Sequence, residues 1–221
     1  MKKAFTMLEV IFVLIIIGIL AAIIMPEMKS NKLREAAIQV VSHIRYTQHL
    51  AMVDDKFDTT NTKWYSERWN MLFGTSSSGT KNTHGKIAYS LFSDRDNGSG
   101  HDGKPNLSEL AIDPSNSAKY MSGGYSGILD TDDSRANKKM NIGKSYGVDS
   151  VEFNGGCASA TIKRLTFDHQ GRPIKGTIHG FNKSYEANRL IQTRCGIVLK
   201  SSEGSITIAV EPETGYAHIV N

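Results

Sequence analysis

Between Ser93 and Glu109 the chain runs through Asp94, Asp96, Asn97, Asp102 and Asn106 with glycines at 98, 100 and 103. Hard oxygen donors on a bendable backbone suit Ca²⁺, which accepts carboxylates and carbonyls in loose geometry. Asp94, Asp96, Asp102 and Glu109 are therefore candidate calcium ligands. Asp94 and Asp96 have the alternate spacing that opens a helix-loop-helix calcium loop, but the gap to Asp102 is too long for that motif. The alternative is a solvated turn, because Asp, Asn, Gly and Ser favour turns without any ion.

A second chemical oddity is Glu9, the one charge in an apolar run from Phe5 to Met25 that Lys2 and Lys3 precede and Pro26 closes. As a helix those residues would extend about 31 Å at ~1.5 Å per residue, enough to cross a bilayer core. A carboxylate inside such a helix is costly unless it finds a partner, so Glu9 points to assembly with another copy or a related chain. The flanking lysines would orient the segment with the rest of the chain outside the inner membrane. A secretory signal peptide or a plain single-pass anchor would explain the run but not Glu9.

Other groups offer less. Asp168-His169 has no nucleophile at a recognisable motif position, and no GxSxG, HExxH, CxxC or P-loop pattern occurs, so no enzyme is expected. Arg135, Lys138, Lys139 and Lys144 could touch phosphates, but Asp130, Asp132 and Asp133 precede them and offset their field. Net charge is +4, and losing Lys2 and Lys3 would leave +2, too little for nucleic-acid binding by bulk electrostatics; a DNA partner is not expected. Cys157 and Cys195 are the only cysteines. Each abuts a strand-like run, which favours a bridge over two separate thiols in an oxidising compartment.

These groups need elements to hold them. Leu33, Ala36, Ala37, Val40, Val41, Ile44, Gln48 and Ala51 recur at helical steps, one stripe for packing, while His43 and His49 fall off it and read as solvated. The spacing predicts one long helix from about Phe5 to about Val53, kinked at Pro26. Residues 54–85 read as a loop whose Trp64, Tyr65, Trp69, Met71, Leu72 and Phe73 anchor it or face a partner. Strands are predicted at Lys86–Phe92, Val148–Phe153, Ile162–Phe167, Cys195–Lys200, Ser205–Val210 and Tyr216–Val220, the last three as an antiparallel meander. The expected class is α+β: a long N-terminal helix, a membrane half plus an amphipathic half, packed on a C-terminal antiparallel sheet.

Lys3-Ala4-Phe5-Thr6-Met7-Leu8-Glu9-Val10 resembles the class III signal sequence of type IV pilins and type II secretion pseudopilins. The resemblance implies cleavage between Ala4 and Phe5, methylation of the new amino terminus at Phe5, an assembly role for Glu9 and a helix-bending role for Pro26. Ala4 departs from the family's usual Gly. Arg164-Leu165-Thr166-Phe167-Asp168-His169-Gln170-Gly171-Arg172-Pro173 is similar to the "F-D-x-x-G-R" turn of the H-type minor pseudopilin and FimT-like minor pilin group. Likeness covers roughly residues 1–53 and 162–221.

The resemblance implies leader 1–4, transmembrane and assembly helix 5–26, amphipathic half 27–53 and a periplasmic β-rich domain 54–221. It further implies a minor subunit of a type II secretion pseudopilus, anchored in the inner membrane by one span. Other pilins, a prepilin peptidase and a membrane assembly platform would be its partners. The alternative is a minor type IV pilin engaged in pilus assembly and DNA uptake. No cofactor is implied beyond the possible Ca²⁺.

Overall fold

A computed structural model describes residues 6–24, 31–95, 100–159, 161–186 and 188–220. Two compact units result, Met1–Asn31 and Lys32–Asn221. In the first, α1 (Met7–Ile24) is apolar on every side, and its described large side chains are exposed. In the second, α2 (Lys32–Val53) buries Leu33, Ala36, Ala37, Val40, Val41, Ile44, Thr47 and Ala51. Ala36 and Ala37 have no exposed surface and let the helix backbone approach its neighbours closely.

Two four-stranded sheets face α2. The first contains β1 (Trp69–Gly74), β2 (Ala88–Ser93), β6 (Lys163–Phe167) and β7 (Pro173–Lys175), in the order β2-β1-β6-β7. The second contains β5 (Ser150–Gly155), β8 (Cys195–Ser201), β9 (Gly204–Val210) and β10 (Ala217–Val220), in the order β10-β9-β8-β5. All these pairings are antiparallel. A short ribbon of β3 (Ile112–Asp113) and β4 (Asn116–Tyr120), a one-turn α3 (Ile142–Tyr146) and several short 3-10 turns make up the rest of the described elements. The main core joins α2 to both sheets through Val40, Ile44, Met71, Leu165, Ile197 and Ile208, none of them exposed.

Three expectations are corrected. Among the described residues no single long N-terminal helix packs on a sheet: α1 covers Met7–Ile24, α2 covers Lys32–Val53, and the two belong to different units. Proline has no amide proton and disfavours helix in the residue before it, which is why a kink was expected there. Pro26 itself lies outside the described residues.

Nor is a single-pass inner-membrane anchor supported, because no helix among the described residues is long and apolar enough to cross a membrane. The 18 residues of α1 extend about 27 Å, short of the ~30 Å hydrocarbon core.

The third correction concerns residues 69–74. They form the strand between β2 and β6, not a loop, and Trp69, Asn70, Met71 and Phe73 are buried. Covered on both faces, such a strand shows no alternation to read.

Candidate functional site

The oxygen-rich loop is held from outside itself. Asp94 is 2% exposed, and its Oδ2 accepts the Gly103 amide at 2.8 Å. Burial pushes its carboxyl up to about 6, with the Gly103 N–H opposing the shift. On the other side of Gly103, Arg164 Nη2 donates to the glycine carbonyl. Gly103 sits at φ +73°, and a Cβ there would lie 2.2 Å from His179 Nδ1, so no larger residue fits.

Glu109 serves as a helix cap. It accepts the Asn106 amide at 2.8 Å and the Arg95 amide at 3.2 Å, closing a capping box on the short turn Leu107–Glu109. Asp102 is exposed and accepts the Lys104 amide at 2.8 Å. Asp96 lies outside the described residues. Asp94, Asp102 and Glu109 thus share a loop, but each carboxylate holds a different stretch of backbone. The group of three metal-ligand side chains gathered among the described residues is another one, His84, Asp130 and Asp132. There His84 Nε2 is 3.1 Å from Asp130, and Lys144 already pairs with Asp132 at 2.7 Å.

Arg164 was not singled out in the sequence. It is 4% exposed, lies with its guanidinium carbon 5.5 Å from the centre of the Phe92 ring, and has buried Nε and Nη1 atoms with no hydrogen-bond partner among the described residues. Burial pushes the group below the ordinary guanidinium range, and the Asp94 charge opposes that. The legible signal was a cation set directly before the buried end of a strand, Leu165-Thr166-Phe167.

Glu9 has a local task. Its Oε2 accepts the Thr6 amide at 3.3 Å while the Thr6 hydroxyl accepts the Glu9 amide at 3.3 Å. That is a reciprocal cap on the first turn of α1, and the spacing Thr6-x-x-Glu9 carried it in the sequence. Ala4 and Phe5 lie outside the described residues.

The turn after β6 is built on Asp168, whose side chain has no exposed surface. Its Oδ1 accepts the amides of Gln170 and Arg172 at 3.0 and 2.9 Å, and its Oδ2 pairs with Arg172 Nε at 2.8 Å. Gly171 turns the chain at φ +79°, and its carbonyl accepts Gln48 of α2 at 2.8 Å. Asp168 is consequently a structural acid, and His169 beside it is exposed. Pro173 opens β7 opposite Phe167.

Cys157 and Cys195 are joined by a disulfide, with Cα atoms 5.0 Å apart, tying the turn after β5 to the start of β8. His43 is half-buried and not the solvated residue expected, whereas His49 is exposed. His43 Nδ1 lies 2.7 Å from the Tyr89 hydroxyl, which also accepts Gln39 Nε2 at 2.8 Å. Burial lowers the His43 pKa to about 4, against the raising influence of Asp113.

Comparison with protein-family models, with curated proteins and with solved structures finds no match to this chain.

Proposed function

We propose that this chain is a minor pilin-like structural subunit, of the pseudopilin kind, that assembles through α1 into a filament serving protein export. The observation that carries this reading is α1 itself: apolar around its whole circumference, exposed, and bearing one acid, Glu9, in its first turn. A helix without a polar face cannot rest in water and needs apolar cover on every side. Helices of neighbouring subunits supply such cover. A carboxylate at a shared depth then fixes their register by pairing with a neighbour's amino group in low dielectric. In the domain built on α2 and the two sheets, Asp94, Glu109 and Asp168 are occupied with holding turns.

Glu9 also caps α1, so the test separates the cap from the charge. Glu9→Gln keeps the acceptor for Thr6 and removes the charge, whereas Glu9→Ala removes both. Filament incorporation, read by cross-linking and sedimentation, is expected to fail in both variants while the folded domain melts normally. Normal incorporation of Glu9→Gln would sink the register mechanism.

A further inference from the structure

Two arginines have buried nitrogens without partners among the described residues, Arg68 and Arg164. They differ in what surrounds them. Arg68 is sandwiched between the rings of Trp64 and Tyr185, at 5.1 and 4.6 Å, beside a space of only about 10 Å³. That is room for a water at most. Arg164 has one ring against it, Phe92, and borders a cleft of about 240 Å³.

The cleft brings together groups distant in the chain. Lys104 comes from the Asp-rich loop, Lys163 and Arg164 from the start of β6, and His179 and Thr177 from the segment after β7. The Thr177 hydroxyl is buried and has no partner among the described residues. Leu72, Phe73 and Ile162 form an apolar wall. Two acids oppose the cations. Asp102 lines the cleft and holds the Lys104 amide, while Asp94 lies across Gly103 and holds its amide. Among the described residues neither acid hydrogen-bonds the guanidinium, which donates to the Gly103 carbonyl.

We propose that this cleft binds the oxyanionic group, carboxylate or phosphate, of a partly apolar ligand. Lys104 and Lys163 make the direct contacts, because they are the cations that solvent reaches. Arg164 contributes from below, where low polarisability of the surroundings lets its charge act further than it would in water. Ile162 and Phe73 cover the apolar part of the ligand. The cleft's size suits a single anionic group with a short apolar stem, smaller than the usual drug-sized pocket. The site stands independently of filament assembly.

The test is an NMR titration of the ¹⁵N-labelled full chain, kept in mild detergent because of α1. Inorganic phosphate and hexanoate are added separately at ionic strength held constant with chloride, and the amides of Gly103, Lys104 and Lys163 are followed. Saturable shifts in the millimolar range are expected with at least one probe. Saturation by phosphate alone assigns a phosphate-bearing ligand, and saturation by hexanoate alone assigns a carboxylate. The Lys104→Gln/Lys163→Gln variant, altered only at solvent-reached positions, is expected to bind about tenfold more weakly or worse, as loss of two charge-assisted contacts requires. No saturable shift with either probe, or unchanged affinity in the double variant, overturns the site.

Discussion

Asp94 and Arg164 grip Gly103 from opposite sides, the carboxylate accepting its amide at 2.8 Å and the guanidinium donating to its carbonyl. The two charges stabilise one loop geometry across a glycine that no larger residue can replace. A buried arginine therefore stands where the oxygen-rich sequence invited a cation.

Arg164→Gln leaves Asp94 without its nearby positive charge and unseats the Gly103 carbonyl. The expected cost is about 2 kcal/mol, the usual range for losing a hydrogen bond to a charged group. Lys104→Gln, on the exposed rim of the same cleft, is expected to change stability by less than about 0.5 kcal/mol. Urea unfolding of the two variants checks the contrast. Equal effects would mean that Arg164 is not holding the loop.

The disulfide closes a segment 38 residues long between Cys157 and Cys195. Loop-closure entropy for a segment of that length corresponds to about 4 kcal/mol in the unfolded state. The Cys157→Ser/Cys195→Ser variant should lose stability of that order, and the wild-type chain should match it once fully reduced. Melting with and without a thiol reductant measures both.

Asp168 satisfies two turn amides, Arg172 and the Tyr185 hydroxyl at once. Asp168→Ala is expected to cost about 3 kcal/mol, since four donors lose their acceptor and one of them is charged. Asp168→Asn keeps an oxygen for the two amides and should cost less. Hydrogen exchange at Gln170 and Arg172 reports the turn directly.

His43 gives the fold a pH dependence. Its pKa is about 4 in the folded chain against an unperturbed 6.5, so the folded state favours the neutral ring. Stability from this group is fully present above about pH 6.5 and is lost as pH falls towards 4, up to about 3 kcal/mol. The groups facing the ring are Tyr89, which bonds it, and Asp113, whose charge moderates the shift. His43→Gln keeps a hydrogen-bonding group beside Tyr89 but cannot titrate. Its stability should be flatter than wild type between pH 6.5 and 4 by urea unfolding, and an unchanged slope would refute the assignment.

Legibility followed the range of the forces involved. The meander β8, β9, β10 was readable because alternating Ile206, Ile208 and Val210 and the short connections are local features, and its strands pair in sequence. The buried stripe of α2 was readable for the same reason, with Thr47 taking the place expected of Gln48. Gln48 reaches instead to the carbonyls of Gly171 and Thr214, more than a hundred residues away. The strand Trp69–Gly74 was hidden because burial on both faces erases the period of two.

By itself the sequence determined the apolar α1 with its Thr6 and Glu9 cap, the packing stripe of α2 and the closing meander. Each is set by neighbours a few residues apart, through backbone hydrogen bonding and the side-chain period of helix or strand. Tertiary structure alone decided that Asp94 serves Gly103, that Glu109 reaches the Arg95 amide and that Arg164 lies under a cleft. Arg164 meets Gly103 across 61 residues of chain. Whether a charge is buried, and what compensates it, depends on groups that only the completed fold brings within a few ångströms.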